Sequence, residues 1–400
     1  MKVTNLFILM CVAFSLSAQN AVQWRNDRTG IYNEKGLLKS WPEEGPQLLW
    51  HYDDLGEGHS SIAIDADKIY VTGLTENVGY LYVLDLTGKL LNKKEYGSEW
   101  AKNYNGPRGT VTVNDGKLYL FTGTGHLICM NQNSLEILWK KDIEADFGGK
   151  NIMWGVSESP LVVNGKVILS VGGKEHNIVA LNKNNGSLIW SSPGEGDLTA
   201  YCSPLYIGDV EIPQITTTMA GHVLGIDAAT GEKLWSQEYK TQRSIHPNTH
   251  IYSDNMLLIS NGYGKGSIML RLIDGGRNVE KVWESPDLET KHGGIVKIGN
   301  YVYGSGDQRK FWYCLDWNTG ETKYKDNTLG TGVTIANNGM LYCYSEKGEM
   351  ALVKATPEKF DLVSKFPITL GTDQHWAHPV IYKGVLYVRH GNTLMAYQIK

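Results

Sequence analysis

The chain has 400 residues, with 38 Lys and Arg against 42 Asp and Glu, a formal net charge of -4, 42% hydrophobic residues and 45 glycines. Interspersed charge of this kind builds no basic patch, which argues against nucleic acid as a partner, and the apolar content suits a soluble globular chain rather than a disordered one. Beyond the N-terminus no run approaches the roughly 18 apolar residues that a membrane-spanning helix requires.

Residues 1–18 carry Lys2, an apolar run from Leu6 to Phe14, and small residues at Ser15, Ser17 and Ala18. These are the three zones of a secretory signal, so the expected location is periplasmic or secreted, after cleavage near Ala18. Cys11 lies inside the apolar run behind Met10, a setting that does not suit a lipid-anchored cysteine. Residues 19–46 are expected to be an N-terminal extension packing on a body formed by residues 47–400.

From there one phrase recurs. A short aliphatic run ends in an acidic or amide residue, a turn follows, and then comes a bulky residue. Examples are Tyr82 to Asp85 before Thr87-Gly88, Ile178 to Asn182 before Asn185-Gly186 and Trp190, and Val223 to Asp227 before Thr230-Gly231 and Trp235. Weaker copies run from Leu127 to Trp139, Leu270 to Trp283, Tyr313 to Tyr324 and Ala351 to Phe366. The period of roughly 40 to 50 residues is that of propeller blades.

Each repeat divides into four short strands. In the third these are Ser159 to Val163, Lys166 to Gly172, Asn177 to Asn182 and Leu188 to Trp190, with Asn164-Gly165 and Asn185-Gly186 as turns. Asp115-Gly116, Asn338-Gly339 and Lys383-Gly384 occupy the first-hairpin position in other repeats, where two-residue turns need positive φ. The residues leading into each first strand are His59, Arg108, Trp154, Tyr201, Pro247, His292, Thr331 and Trp376, which counts eight blades. The last repeat ends after its third strand, and Gln47 to Trp50, with the Leu-x-Trp form of a closing strand, is expected to complete it. The predicted fold is therefore all-β, an eight-bladed propeller of four-stranded antiparallel blades closed by an N-terminal strand. The Trp of the fourth strands is expected to pack between blades, and Cys129, Cys202, Cys314 and Cys343 to be buried thiols, because they fall on unrelated strands.

Blade-leading positions from distant parts of the chain meet around a propeller's axis, so their side chains are the candidate site. Here these are His59, Arg108, Trp154, Glu158, Tyr201, His246, His250, His292, His375, Trp376 and His378. Arg108, Arg243 and Lys291 suit an anion. His246 and His250 lie four apart, about 13 Å on an extended strand, so any metal would have to gather ligands across blades. Gly262 to Ser267 resembles a phosphate loop only superficially, since strands flank it and no helix follows. Ser157 and Ser159 lack a nucleophile-elbow pattern, which leaves hydrolysis without support.

The opening Gln23-Trp24-Arg25-Asn26-Asp27-Arg28-Thr29-Gly30 carries a family resemblance, as do Trp154 to Pro160, the repeated Ala-Leu-Asn/Asp phrase, Lys291-His292-Gly293-Gly294 and Trp376-Ala377-His378-Pro379. Over residues 19 to 400 the chain resembles the PQQ-like β-propeller repeat proteins. That superfamily contains quinoprotein alcohol dehydrogenases and the propeller scaffold of outer-membrane protein assembly. The resemblance to the enzymes implies PQQ in the channel beneath a pair of adjacent cysteines, Ca²⁺ held by Glu and Asn, and a catalytic residue beside them. Glu158 and Asn248 are the candidate Ca²⁺ ligands, Trp154 and Trp376 the stacking residues, and His292 or His378 the proton acceptor. This chain has no adjacent cysteines and no Cys-x-x-Cys-His haem motif. The expectation is accordingly a noncatalytic exported platform whose channel mouth binds a small polar ligand, a glycan or an envelope protein. The alternative is a PQQ- and Ca²⁺-dependent alcohol or sugar dehydrogenase with an external electron acceptor.

Overall fold

The computed structural model describes residues 21–400, so the apolar N-terminal run, Cys11 and the expected cleavage near Ala18 lie outside the described residues. Eight four-stranded antiparallel blades follow one another. Blade 1 runs from Ala63 to Ser98, blade 2 from Thr112 to Asp142, blade 3 from Leu161 to Ser192, and blade 4 from Leu205 to Glu238. Blade 5 spans Ile251–Ser285, blade 6 Val296–Asp326 and blade 7 Gly332–Pro367. Blade 8 takes its first three strands from Val380–Gln398 and its outermost strand from Leu48–Tyr52, which pairs antiparallel with Thr393–Gln398. The N-terminal closing strand is thus observed where the Leu-x-Trp phrase placed it.

The first hairpins explain themselves locally. Asn164 and Gly165 have φ of 47° and 76°, and Asp115-Gly116, Asn338-Gly339 and Lys383-Gly384 repeat the pattern. Two successive positive φ values make a turn whose twist matches that of the strands it joins. The first strand of blade 3 begins at Leu161 rather than Ser159. The reason is lateral: the Ser159 N–H donates to Ser203 Oγ, and Ser159 Oγ accepts from the Thr110 N–H, so this residue joins three blades instead of pairing within one.

The recurrent Trp and Gly belong to one contact. Trp50, Trp139, Trp190 and Trp283 each lie on the outermost strand of one blade, over the turn of the next. There their Nε1 groups donate to Leu86 O (2.8 Å), Lys183 O (3.2 Å), Ala228 O (3.2 Å) and Trp317 O (3.0 Å). A Cβ on Gly186 or Gly231 would come within 2.8 and 2.7 Å of Trp139 and Trp190. Glycine is therefore required twice at these turns, for positive φ and for the approach of the indole. Trp235 departs from the pattern and donates to Gln214 Oε1 within its own blade. Apolar clusters shared by adjacent blades fill the body between these contacts. Cys129, Cys202, Cys314 and Cys343 are free and buried.

Besides the helical turns Asn26–Gly30 and Asp274–Gly276, two elements lack a counterpart in the repeat pattern. One is a single helical turn, Ile143–Phe147, capped by Asp142. The other is Ile31–Tyr32, which pairs parallel with the innermost strand of blade 7.

Candidate functional site

The segment from Ala21 to Tyr32 occupies the axis of the ring. The carbonyls of Ala21 and Val22 accept from the N–H groups of Ile64 and Val113, so the segment joins blades 1 and 2. Arg25, Asn26, Asp27 and Arg28 then adopt φ of 55°, 43°, 55° and 67°, a run of left-handed backbone in four non-glycine residues. Such backbone costs about 1 to 2 kcal/mol per residue. It turns the two arginines in different directions. Arg25 donates to Thr334 O (2.9 Å) and Ile295 O (2.7 Å), and Arg28 to Ser159 O (3.0 Å) and Pro160 O (2.8 Å). Both guanidinium groups are buried, which lowers each to about 10. Both therefore stay cationic at neutral pH, held by carbonyl dipoles at the inner edges of blades 3, 6 and 7.

Beside this segment is a cavity of about 380 Å³. Apart from Trp24, on the axial segment, and Tyr263, in a hairpin of blade 5, its lining comes from connections between one blade's outermost strand and the next blade's innermost strand. His59, Arg108, Trp154, Tyr201, His292, Trp376 and His378 converge there, together with Arg243 and Lys291. His246, His250, His375, Glu158 and Asn248 do not line it. His250 is clasped by Thr218 Oγ1 (2.7 Å) and Thr216 Oγ1 (3.0 Å), and burial lowers it to about 3. His246 packs against Tyr239, lowered by burial to about 4. His375 stacks on His390 at 3.6 Å between ring centroids and meets the Tyr344 hydroxyl at 2.6 Å.

The histidines that do reach the cavity differ in what they can do. His378 Nδ1 accepts from Arg25 Nη1 at 2.9 Å, so its Nε2 carries the proton that goes to His292 O, also at 2.9 Å. Burial and the Arg25 charge hold it well below its usual range. With its lone pair committed to a guanidinium, His378 cannot serve as the proton acceptor expected of it. Burial, with Arg389 and Arg108 nearby, lowers His59 to about 3. His292 is different: its Nδ1 meets Glu346 Oε1 at 2.7 Å, which leaves Nε2 as the basic nitrogen of the neutral ring. Burial still outweighs the Glu346 charge and keeps its pKa below the ordinary value. Trp376 is the centre of a cluster rather than an open platform. His292 stacks on it at 5.0 Å and 28°, and His59 and Tyr104 tilt against it at the same distance.

The donor set answers whether Ca²⁺-bound PQQ would fit. Ca²⁺ takes six to eight oxygens, mostly carboxylate and amide. The lining holds no Asp, Glu, Asn or Gln. Glu158 lies beneath it, fully buried, with Oε2 accepting from the Ser170 N–H at 3.0 Å. Burial pushes its carboxyl up to about 8, against the opposing pull of Ser170 and Arg28, so at neutral pH it is an acid and not an anionic ligand. Asn248 gives its amide group to Ser260 O and Thr290 O. Among the described residues no group of three or more His, Cys, Asp or Glu is placed to hold a metal. The residues present do not fit the Ca²⁺–PQQ arrangement.

What the lining offers instead is hydrogen-bond donors. Arg108 gives its guanidinium to the carbonyls of Asn103, Tyr104 and Trp154 and has no carboxylate partner among the described residues. Arg243 lies over the Tyr263 ring, 5.9 Å from its centroid, likewise without a carboxylate among the described residues. Lys291 is paired with Asp307 at 3.0 Å. Ser159 and Ser203 hydroxyls each accept one backbone N–H. Trp24 and Tyr263 were not foreseen as lining. Trp24 stood within the opening phrase and Tyr263 within the hairpin Gly262 to Ser267, but neither holds a repeating register that would have placed it at the axis.

Residues 77–326, more than half of the chain, match the family described as outer membrane protein assembly factor BamB. The assembly factor BamB of Shewanella oneidensis is 23% identical over 239 residues, 57% of this chain and 55% of that protein. The chain thus spans about half the length of the curated relatives it matches. The crystal structure of BamB from Moraxella catarrhalis superposes with a TM-score of 0.64 at 14% identity, covering 88% of this chain and 99% of that one. Quinohemoprotein alcohol dehydrogenase from Comamonas testosteroni gives 0.67 at 12% identity, covering 95% and 80%. At such identities the structural likeness speaks for the fold alone. No helix among the described residues is long and apolar enough to cross a membrane.

Proposed function

From the premise that this chain belongs to the family described as outer membrane protein assembly factor BamB, within the PQQ-like propellers, we propose a noncatalytic binding propeller of the cell envelope. Its channel mouth receives the anionic group of a small ligand or of an envelope-protein partner. Export of the chain is part of this proposal and rests on the signal-like residues 1–18.

The observation that carries the reading is a half-buried Arg108, with an exposed Arg243 on the same lining, in a cavity without a single lining carboxylate. Arg108 is partly withdrawn from water with no carboxylate in direct contact, and a carboxylate or phosphate entering the cavity would gain charge-assisted hydrogen bonds from it and from the exposed Arg243. The same feature speaks against a neutral glycan, whose hydroxyls need acceptors as well as donors. His292 with Glu346 is able to accept a proton, but among the described residues no group of three or more His, Cys, Asp or Glu is placed to hold a metal beside it.

Calorimetric titration tests this with benzene-1,2,4-tricarboxylate, with PQQ in the presence and absence of Ca²⁺, and with maltose. The expected result is Ca²⁺-independent, salt-sensitive binding of the carboxylates and none of maltose. Arg243→Gln is expected to weaken binding about tenfold, the loss of one charge-assisted pair. Saturable PQQ binding that requires Ca²⁺ and supports dye-linked alcohol oxidation would instead establish the dehydrogenase reading.

A further inference from the structure

Half of the ring's circumference differs from the other half. The outermost strands of blades 8, 1, 2 and 3 open with the aliphatic pairs Leu48-Leu49, Leu90-Leu91, Ile137-Leu138 and Leu188-Ile189. All eight side chains are between 37% and 47% exposed. These blades are consecutive, because closure sets blade 8 beside blade 1, where Trp50 donates to Leu86 O and Ser61 to His378 O. At the matching positions blades 4, 5 and 6 carry Lys233-Leu234, Lys281-Val282 and Thr322-Lys323, while Leu362-Val363 of blade 7 is half-buried.

Charge divides the same way. On the outermost strands of blades 4 to 7, Lys233, Lys281, Lys323 and Lys365 each meet a glutamate, at 2.6, 2.8, 3.3 and 2.6 Å, while Lys325 of blade 6 lies over Phe311 instead. On blades 1 and 2, Lys93, Lys94 and Lys140 have no carboxylate partner within 4 Å among the described residues, Lys93 packing over the Tyr80 ring at 4.3 Å, and Lys141 pairs with Asp146 at 3.6 Å. Scattered exposed leucines are ordinary, but four paired sets on neighbouring blades beside unpaired lysines form one surface.

We propose that this arc docks the protein on an anionic lipid surface, the aliphatic pairs entering the boundary between headgroups and acyl chains and the lysines meeting headgroup phosphates. The composition selects this occupant. Protein interfaces favour Trp, Tyr and Arg and are depleted of Lys, whereas here the strand tryptophans are turned inward and the exposed set is mostly Leu, Ile and Lys, with Glu95 and Glu136 among it. A second copy of the chain would set lysines against lysines. Each pair follows the turn between third and fourth strands, so all four lie at the end of the blades opposite the connections that line the cavity. Docking through them leaves the cavity mouth facing away from the membrane.

The test is flotation of residues 19–400, which contain every described residue and omit the apolar N-terminal run, with vesicles of phosphatidylcholine alone or with about a third phosphatidylglycerol. Binding is expected to the anionic vesicles, to weaken with salt, and to fall at least about tenfold in both L90Q/L91Q/I137Q/L138Q and K93E/K94E/K140E. L362Q/V363Q on blade 7 is the control expected to bind as the unaltered chain does, and thermal melting checks that each variant is folded. Failure of the unaltered chain to bind anionic vesicles at low salt overturns the proposal, as does binding that neither arc variant reduces. Sedimentation showing a dimer that L90Q/L91Q/I137Q/L138Q dissolves, without vesicle binding, assigns the arc to a second copy and also overturns it. Ligand titration at the cavity is expected to be unchanged in the arc variants, which separates failure of this proposal from failure of the channel-mouth reading.

Discussion

The contacts between blades and the contacts along the axis hold the same ring together by opposite means. Between blades, one device is repeated: an indole on one blade covers a glycine turn on the next and donates to a carbonyl there, at Trp50, Trp139, Trp190 and Trp283. Along the axis nothing repeats. A single segment in left-handed backbone sends Arg25 and Arg28 to different blades, and Arg25 also fixes the tautomer of His378. A device used many times is structural by economy of explanation. Residues used once, buried with charge and next to a cavity, are the ones to which we assign the individual function we propose.

That contrast can be broken most directly at a blade contact. Trp190→Ala removes a buried indole from the interface of blades 3 and 4 and is expected to destabilise the fold by about 4 kcal/mol, read from a shift in urea midpoint. A shift under about 1 kcal/mol would mean that the repeated contact is not what holds neighbouring blades.

The axis is next in size and is sharpened by pH. His59 and His250 are lowered to about 3, and His246 and His375 to about 4, chiefly by burial. Each is neutral when folded and protonated when unfolded between its folded value and its ordinary value near 6.5. The unfolded chain therefore binds more protons in that window, and stability falls as pH drops from about 6.5 towards 3. His250→Asn is expected to flatten this slope by up to about 1.4 kcal/mol per pH unit, measured by urea unfolding at pH 5 and 7.

Glu158 has the opposite sign. Its carboxyl is raised to about 8, so the folded state holds a proton that the unfolded state has lost above about 4.5. This contribution is fully present below 4.5 and is lost as pH rises to about 8. Glu158→Gln keeps an uncharged side chain at all pH values and is expected to be more stable than the unaltered chain at pH 8.5, by on the order of 1 kcal/mol, with little difference at pH 5. Equal melting temperatures of the two proteins at pH 8.5 would remove Glu158 from this role.

The smallest effect belongs to the cavity mouth. Arg243 is exposed and, among the described residues, packs over the Tyr263 ring, so Arg243→Gln is expected to change stability by less than about 0.5 kcal/mol while weakening anion binding. A large loss of stability would place Arg243 among the structural contacts.

The blade count, the two-residue turns and the closing role of Leu48 to Trp50 were legible because repetition averages out exceptions: eight noisy copies define one register. The candidate site was legible only as a ring of positions. His59, Arg108, Trp154, Tyr201, His292, Trp376 and His378 meet at the cavity, as their places before first strands implied. His246, His250 and His375 stood in similar places yet turn to Tyr239, to two threonines and to His390. Position before a strand sets where the backbone goes; the direction of the side chain is decided by neighbours from other blades.

By itself, then, the chain determined its architecture, since strand period, turn chemistry and the Trp–Gly phrase are local properties that each repeat carries in full. Tertiary structure alone decided that the axis is filled by residues 21–32, that the lining is rich in donors and free of carboxylates, and that Glu158 is an uncharged acid rather than a ligand. Those outcomes depend on burial and on partners hundreds of residues apart, such as Arg25 with Thr334 and His378, and no local pattern encodes them.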